Sequence, residues 1–105
     1  MVSKNKNRLE AGNKDKAIFK NTDEEFYFRV IDGSDIKNLF ELAESLGRMS
    51  DDAFYYHVND QRNDFGNWVR DVFGHEKLAS DISGSRGRLE TEASVLRFLV
   101  KEMLK

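Results

Sequence analysis

The sequence predicts a mainly α domain of the α+β kind, with about five helices and a short N-terminal β-hairpin in one compact unit. Three features carry that prediction. Apolar residues recur at helical spacing in three stretches, 36–46, 65–72 and 88–105. A run of alternating side chains, FYFRVI, stands at 26–31, and clusters of Gly, Ser, Asn and Asp punctuate the chain between these segments.

At 105 residues the chain has room for one hydrophobic core and not two. Its 39% hydrophobic and 34% charged content, with eight Phe, three Tyr and one Trp, places it among globular rather than disordered proteins. The lack of cysteine rules out a disulfide framework, a thiolate metal site and a Cys nucleophile, and it fits a reducing compartment. No stretch approaches the roughly 18 consecutive apolar residues of a membrane span, and no apolar signal segment opens the chain. The expectation is a cytoplasmic protein with no membrane partner.

The net charge of −2 conceals an asymmetry: residues 1–22 hold six Lys/Arg against Glu10 and Asp15, whereas residues 23–105 hold eleven against seventeen acids. Residues 1–15, MVSKNKNRLEAGNKD, are too polar to offset the entropy of ordering, so they are expected to form a mobile basic tail ahead of a single domain at 16–105. Two roles fit such a tail, a solubilising leader or an arm in which Lys4, Lys6 and Arg8 meet nucleic-acid phosphates. Scattered charges without interleaved aromatic residues favour the leader.

Within the domain, KAIFK at 16–20 and FYFRVI at 26–31 are β-prone and flank the polar NTDEE, which predicts a hairpin between them. Alternation puts Phe26, Phe28 and Val30 on one face. Asp32-Gly33 ends the second strand, and Ser34 or Asp35 is the expected N-cap of a helix that buries Ile36, Leu39, Phe40, Ala43 and Leu46 and closes on a left-handed Gly47. Ser50 caps the next helix, with Asp51 and Asp52 at the positive end of its dipole and Ala53, Phe54, His57 and Val58 on one side. A polar interruption follows at Asn59 to Asn63. Asn63 or Asp64 then caps a helix with Phe65, Trp68, Val69 and Val72 at i, i+3, i+4 and i+7, ended by Gly74. A short helix over 75–83 turns Leu78, Ala79 and Ile82 inward, and Ser83-Gly84-Ser85 with Gly87 forms a joint. The long helix at 88–105 lines up Leu89, Ala93, Leu96, Val100 and Met103 along one side, with Val95, Phe98 and Leu99 widening its apolar surface. Leu96 and Val100 are expected in the core with Phe28, Phe40, Phe54, Phe65 and Trp68.

The strand ending in Asp32-Gly33, the Glu41-Leu42-Ala43 of the first helix, and the segments MSDDAFYYHVN, NDFGNWVRDV, FG and KLA run from about Phe26 to Ile82. Together they resemble a small prokaryotic, archaeal and bacterial, domain family of unknown function, and the spacing between HVN and NDF is the most specific part of the likeness. The resemblance implies membership without a mechanism.

A metal centre would draw on His57, Asp60, Asp64, His75 and Glu76, whose spacing matches no ligand set, and His57 reads as a packed core histidine. Neither a metal nor a cofactor is expected. Asp51, Asp52 and Asp64 stand at helix starts where capping accounts for them, and no GxSxG, HExxH or GxxxxGK[ST] element is present, so the protein is expected not to be an enzyme. The nearest approach to a phosphate loop is Ser83-Gly84-Ser85-Arg86-Gly87-Arg88, which lacks a preceding parallel strand and reads as a linker. What remains is an interaction module. It would meet a protein partner through Tyr56, Asn59, Asp60, Arg62, Asn63 and Phe98, or pair with itself through residues 88–105. The alternative is a nucleic-acid-associated protein using Lys4, Lys6 and Arg8 with Arg86, Arg88, Arg97 and Lys101.

Overall fold

Asp32 and Gly33 turn the chain sharply, and the first regular pairing follows from that turn. The computed structural model describes residues 19–105. Gly33 takes a φ of 96°, in the region glycine alone enters freely. Its N–H donates to Val30 O at 2.9 Å, and the Asp32 carboxylate accepts from both the N–H (2.9 Å) and the hydroxyl (2.7 Å) of Ser34. Phe28–Arg29 (β1) is thereby laid antiparallel to Asp35–Ile36 (β2), with Phe28 opposite Ile36.

The expected hairpin between 16–20 and 26–31 is thus corrected. The partner of β1 comes from the residues after the turn, because a five-residue reversal closed by side-chain bonds leaves no need for a distant strand. Glu24–Phe26 forms a 3₁₀ turn instead of strand, and Phe26 is exposed, so only Phe28 and Val30 of the expected face are buried. The expected tail at 1–15, with Lys4, Lys6 and Arg8, lies outside the described residues, as do residues 16–18.

With Ser34 and Asp35 engaged in the hairpin, the cap of the first helix moves to Asn38. Its side chain accepts from Glu41 N–H at 2.7 Å while the Glu41 carboxylate accepts from Lys37 N–H at 2.9 Å, a reciprocal lock on the start of Leu39–Arg48 (α1). Leu39, Leu42, Ala43 and Leu46 are buried, whereas Phe40, expected in the core, faces outward. Gly47 does not end α1. It lies within the helix, and a Cβ there would stand 2.5 Å from a carboxylate oxygen of Glu92 in the last helix.

Ser50 caps Asp51–His57 (α2), accepting from Ala53 N–H at 3.0 Å. A second hairpin, Val58–Asn59 (β3) with Arg62–Asn63 (β4), occupies the predicted polar interruption. Asn63 caps Asp64–Trp68 (α3), which relaxes into a π turn at Val69–Phe73 and stops at Gly74 with φ 73°. Glu76–Ser83 (α4) and Arg88–Met103 (α5) complete the chain. Five helical segments and two small antiparallel hairpins among the described residues make the domain mainly α, as the apolar periodicity predicts.

The core is an aromatic stack. Phe65 lies parallel to Phe28 (4.7 Å between centroids) and to Phe54 (5.7 Å), and Trp68 meets Phe28 edge-on at 5.8 Å while its indole N–H donates to Phe26 O at 2.7 Å. His57 is buried against Phe28 and Phe65. Its Nε2 accepts from Ile31 N–H at 3.1 Å, which places the ring proton on Nδ1, and that nitrogen donates to Asp64 at 3.0 Å. The expected packing of Leu96 and Val100 is corrected: α5 meets α1 and α4 through Thr91, Ser94, Val95 and Leu99, and Leu96 and Val100 face solvent.

Two outcomes follow from these contacts. His57→Phe keeps a ring in place but strands Ile31 N–H, so denaturant titration should show a loss of about 1–3 kcal/mol, while Tyr56→Phe on the exposed neighbour should cost under about 0.5 kcal/mol. Equal effects would remove His57 from its bridging role. Hydrogen bonding from the Ser34 hydroxyl, and then from its N–H, holds the Asp32 carboxyl below the ordinary aspartate value of 3.8. A lowered folded value means a stabilisation that is complete above the aspartate range and fades as pH falls through that value. In an NMR titration Ser34→Ala should raise the Asp32 midpoint, and a midpoint indifferent to the substitution would contradict the assignment.

Candidate functional site

The β3–β4 hairpin brings the residues singled out at 59–63 against the joint between α4 and α5. Asn59, Asp60 and Asn63 on one side and Ser83, Ser85, Arg86 and Gly87 on the other border an open cleft of about 630 Å³ floored by Phe54, Tyr55 and Val58. Two stretches that are separate in sequence therefore share one concavity. Several of their polar atoms are nonetheless occupied in holding the fold. Asn59 Oδ1 accepts from the N–H groups of Gln61 and Arg62, the Asn63 side chain caps Gly66 N–H, and Ser85 Oγ donates to Asp81 O. Asp60 and Arg86 show no side-chain hydrogen bond or ion pair to another described residue.

Three of the expected docking residues fall elsewhere. Arg62 is a clasp: its guanidinium donates to Asp64 at 3.0 Å and to Tyr56 O at 2.9 Å, tying β4 to the end of α2. Tyr56 is exposed beside it, outside the cleft lining. Phe98 is half-buried on α5 against the core, with its ring 4.9 Å from that of His75.

Half of the exposed large hydrophobic side chains among the described residues lie on or just beyond α5. Its inner side places Thr91, Ser94, Val95 and Leu99 against the body, and Phe98 packs beside them. Roughly 150° around the helix, at 3.6 residues per turn, stands a second apolar line. Leu89 is 65% exposed, Leu96 43%, Val100 56% and Met103 43%, with Leu104 beyond the helix end at 80%. An apolar line on the solvent side of a helix is the reverse of the usual amphipathic arrangement. Phe40, 43% exposed on α1, belongs to the helix that packs most extensively on α5. Sequence periodicity located this line but assigned two of its members, Leu96 and Val100, to the core. The signal that separates the two sides is the pair Thr91 and Ser94, small residues that let α5 approach the body, with the Thr91 hydroxyl bonded to Gly87 O one turn back at 2.8 Å.

The basic residues divide. Arg88 is structural: its guanidinium donates to Asp51 at 2.9 Å and to Leu46 O at 2.8 Å, joining the start of α5 to the end of α1 and the start of α2. Arg97 and Lys101 are exposed on α5 and carry no ion pair to other described residues. Among the described residues no three His, Asp or Glu side chains gather as a metal site would require, and no helix is long and apolar enough to cross a membrane.

Fold and surface together define a small mainly helical domain, with a packed aromatic core and an apolar helix face that no other described residue covers. The chain belongs to the DUF5752 family, a family of unknown function whose match extends over residues 9–105. The matched residues include the span from Phe26 to Ile82 and also take in α5. No curated protein and no solved structure matches the chain.

The division of the arginines is measurable. Arg88→Ala removes two hydrogen bonds from a charged, mostly buried group and should cost about 1.5–3 kcal/mol of stability, whereas Arg97→Ala and Lys101→Ala should each stay within about 0.5 kcal/mol of the parent. Equal losses at all three positions would contradict this division.

Proposed function

We propose that this domain is a non-enzymatic, cytoplasmic interaction module and that it docks its partner on the outer face of α5. The observation that carries the reading is the exposed line of Leu89, Leu96, Val100 and Met103 on a helix whose opposite side already supplies the core contacts. Fully burying a Leu, Val or Met side chain contributes about 1.5–3 kcal/mol. Four partly exposed ones therefore fall near the 4–15 kcal/mol cost of association. The reading is accordingly of a reversible contact, governed by concentration, and not of a permanent complex. Clustering supports it as well, since isolated exposed apolar residues are ordinary but a contiguous line of them is not.

A second reading, association with RNA or DNA, is favoured by Arg86, Arg97 and Lys101, which are exposed without an ion pair among the described residues. It predicts binding that weakens steeply with added salt.

The double substitution Leu96→Lys/Val100→Lys separates docking from folding. Both sites are exposed, so the melting temperature should hold within a few degrees. Association should be lost, whether read as a rise in mass across a light-scattering concentration series or as a protein captured from the source cell after nuclease treatment. A wild-type protein that stays monomeric, and whose captured partners are the same as those of the variant, overturns the reading.

A further inference from the structure

We infer that the occupant of the outer α5 face is a second copy of this chain, paired helix to helix in parallel, with Glu92 of each copy bridged to Arg97 of the other. The inference rests on the docking role of that face and adds the partner, the direction and the register.

The spacing of the exposed line, with the half-buried Ala93 in its gap, is the first support. Leu89, Ala93, Leu96, Val100 and Met103 follow one another at intervals of four, three, four and three, the alternation that keeps a seam facing one neighbouring helix. Leu89, Leu96 and Met103 then hold the d positions, and Ala93 and Val100 the a positions. Leucine at d with β-branched valine at a favours two parallel strands.

Charge selects the direction. In a parallel pair the residue at g meets the residue five positions later on the other helix, and from Glu92 that residue is Arg97. Arg97 has no ion pair to another described residue of its own chain, and Glu92, which passes over Gly47, likewise has none. A two-fold axis forms the bridge twice. Antiparallel pairing uses the seam less well. One register sets Arg97 against Arg97 and leaves Leu89 outside. The other leaves Met103 outside and sets Arg97 against Glu90, whose carboxylate already accepts from Arg86 N–H at 2.6 Å. Only the parallel arrangement puts every layer from Leu89 to Met103 opposite its own counterpart.

At about two heptads the seam is short for a free-standing coiled coil, which usually sustains three or four. Here the helix is already formed by packing on α1 and α4, so the ordering that makes short isolated helices marginal is not charged to pairing.

The chain has no cysteine of its own, so single cysteines report geometry cleanly. Under mild oxidation of the full-length protein, Leu89→Cys and Met103→Cys should each form disulfide-linked dimers alone, because parallel in-register pairing brings like positions within bonding reach. Antiparallel pairing gives a different pattern: neither variant dimerises alone, and links appear when Leu89→Cys is mixed with Val100→Cys or Ala93→Cys with Met103→Cys. That pattern overturns the inference while leaving the docking face intact. Charge reversal gives an independent readout by sedimentation equilibrium. Arg97→Glu and Glu92→Arg should each weaken self-association roughly tenfold, and mixing the two should restore it as a heterodimer. Melting temperature checks that Glu92→Arg, which replaces a side chain beside Gly47, still folds. A wild-type chain that is monomeric at millimolar concentration also overturns the inference. The docking reading then stands or falls on whether Leu96→Lys/Val100→Lys loses a captured partner.

Discussion

The imidazole of His57 holds three parts of the chain at once. Through Nε2 it receives the Ile31 N–H beyond β1, through Nδ1 it binds the Asp64 carboxylate at the start of α3, and its own backbone ends α2. Its ring lies against Phe28 and Phe65, so the polar bridge and the aromatic stack are one assembly. Remove the imidazole and a backbone donor loses its acceptor while Asp64, the first residue of α3, loses its partner. A hydrocarbon of the same size repairs only the packing. A histidine on the apolar side of a short helix therefore serves here as a joint between elements, and the same bonds fix its tautomer.

From that joint the polar residues of 59–64 follow. Asn59, Arg62, Asn63 and Asp64 are each tied by hydrogen bonds to the backbone or to one another, which keeps the second hairpin tight enough to present Asp64 to His57. The stretch that looks most like a binding loop in sequence is thus largely a bracket. Arg88 repeats the lesson, since a cation that reads as a phosphate ligand is anchored by Asp51 and the Leu46 carbonyl. A polar residue's partners are decided by what folding brings beside it, and these lie 37 and 42 positions away along the chain.

The last helix presents the opposite case. Its apolar residues form two lines, and each alone satisfies the periodicity of an amphipathic helix. Packing chooses the line that contains Thr91 and Ser94, because small side chains admit close approach to α1, where Gly47 leaves room for Glu92. The bulkier line of Leu89, Leu96, Val100 and Met103 is left outside, and at its margin stands Arg97, which has no ion pair among the described residues. Phe40 is turned outward on α1 for a related reason, as Leu39, Leu42, Ala43 and Leu46 already fill the inner side.

The mainly α class, the helix starts at Ser50 and Asn63, the stop at Gly74 and the aromatic core of Phe28, Phe54, Phe65 and Trp68 were determined by the sequence alone. Each depends on local rules: periodicity, a side-chain oxygen near a free N–H, or a glycine where φ turns positive. The choice of strand partner for β1, the cap at Asn38, the second hairpin, the engagement of His57 and Arg88 and the inward side of α5 were decided only by the tertiary structure. The engagement of His57 and Arg88 depends on groups that lie 26 to 42 positions apart, a distance that neither spacing nor propensity encodes. The β1 partner, the Asn38 cap and the second hairpin are choices between nearby competitors, which only the folded hydrogen bonding resolves.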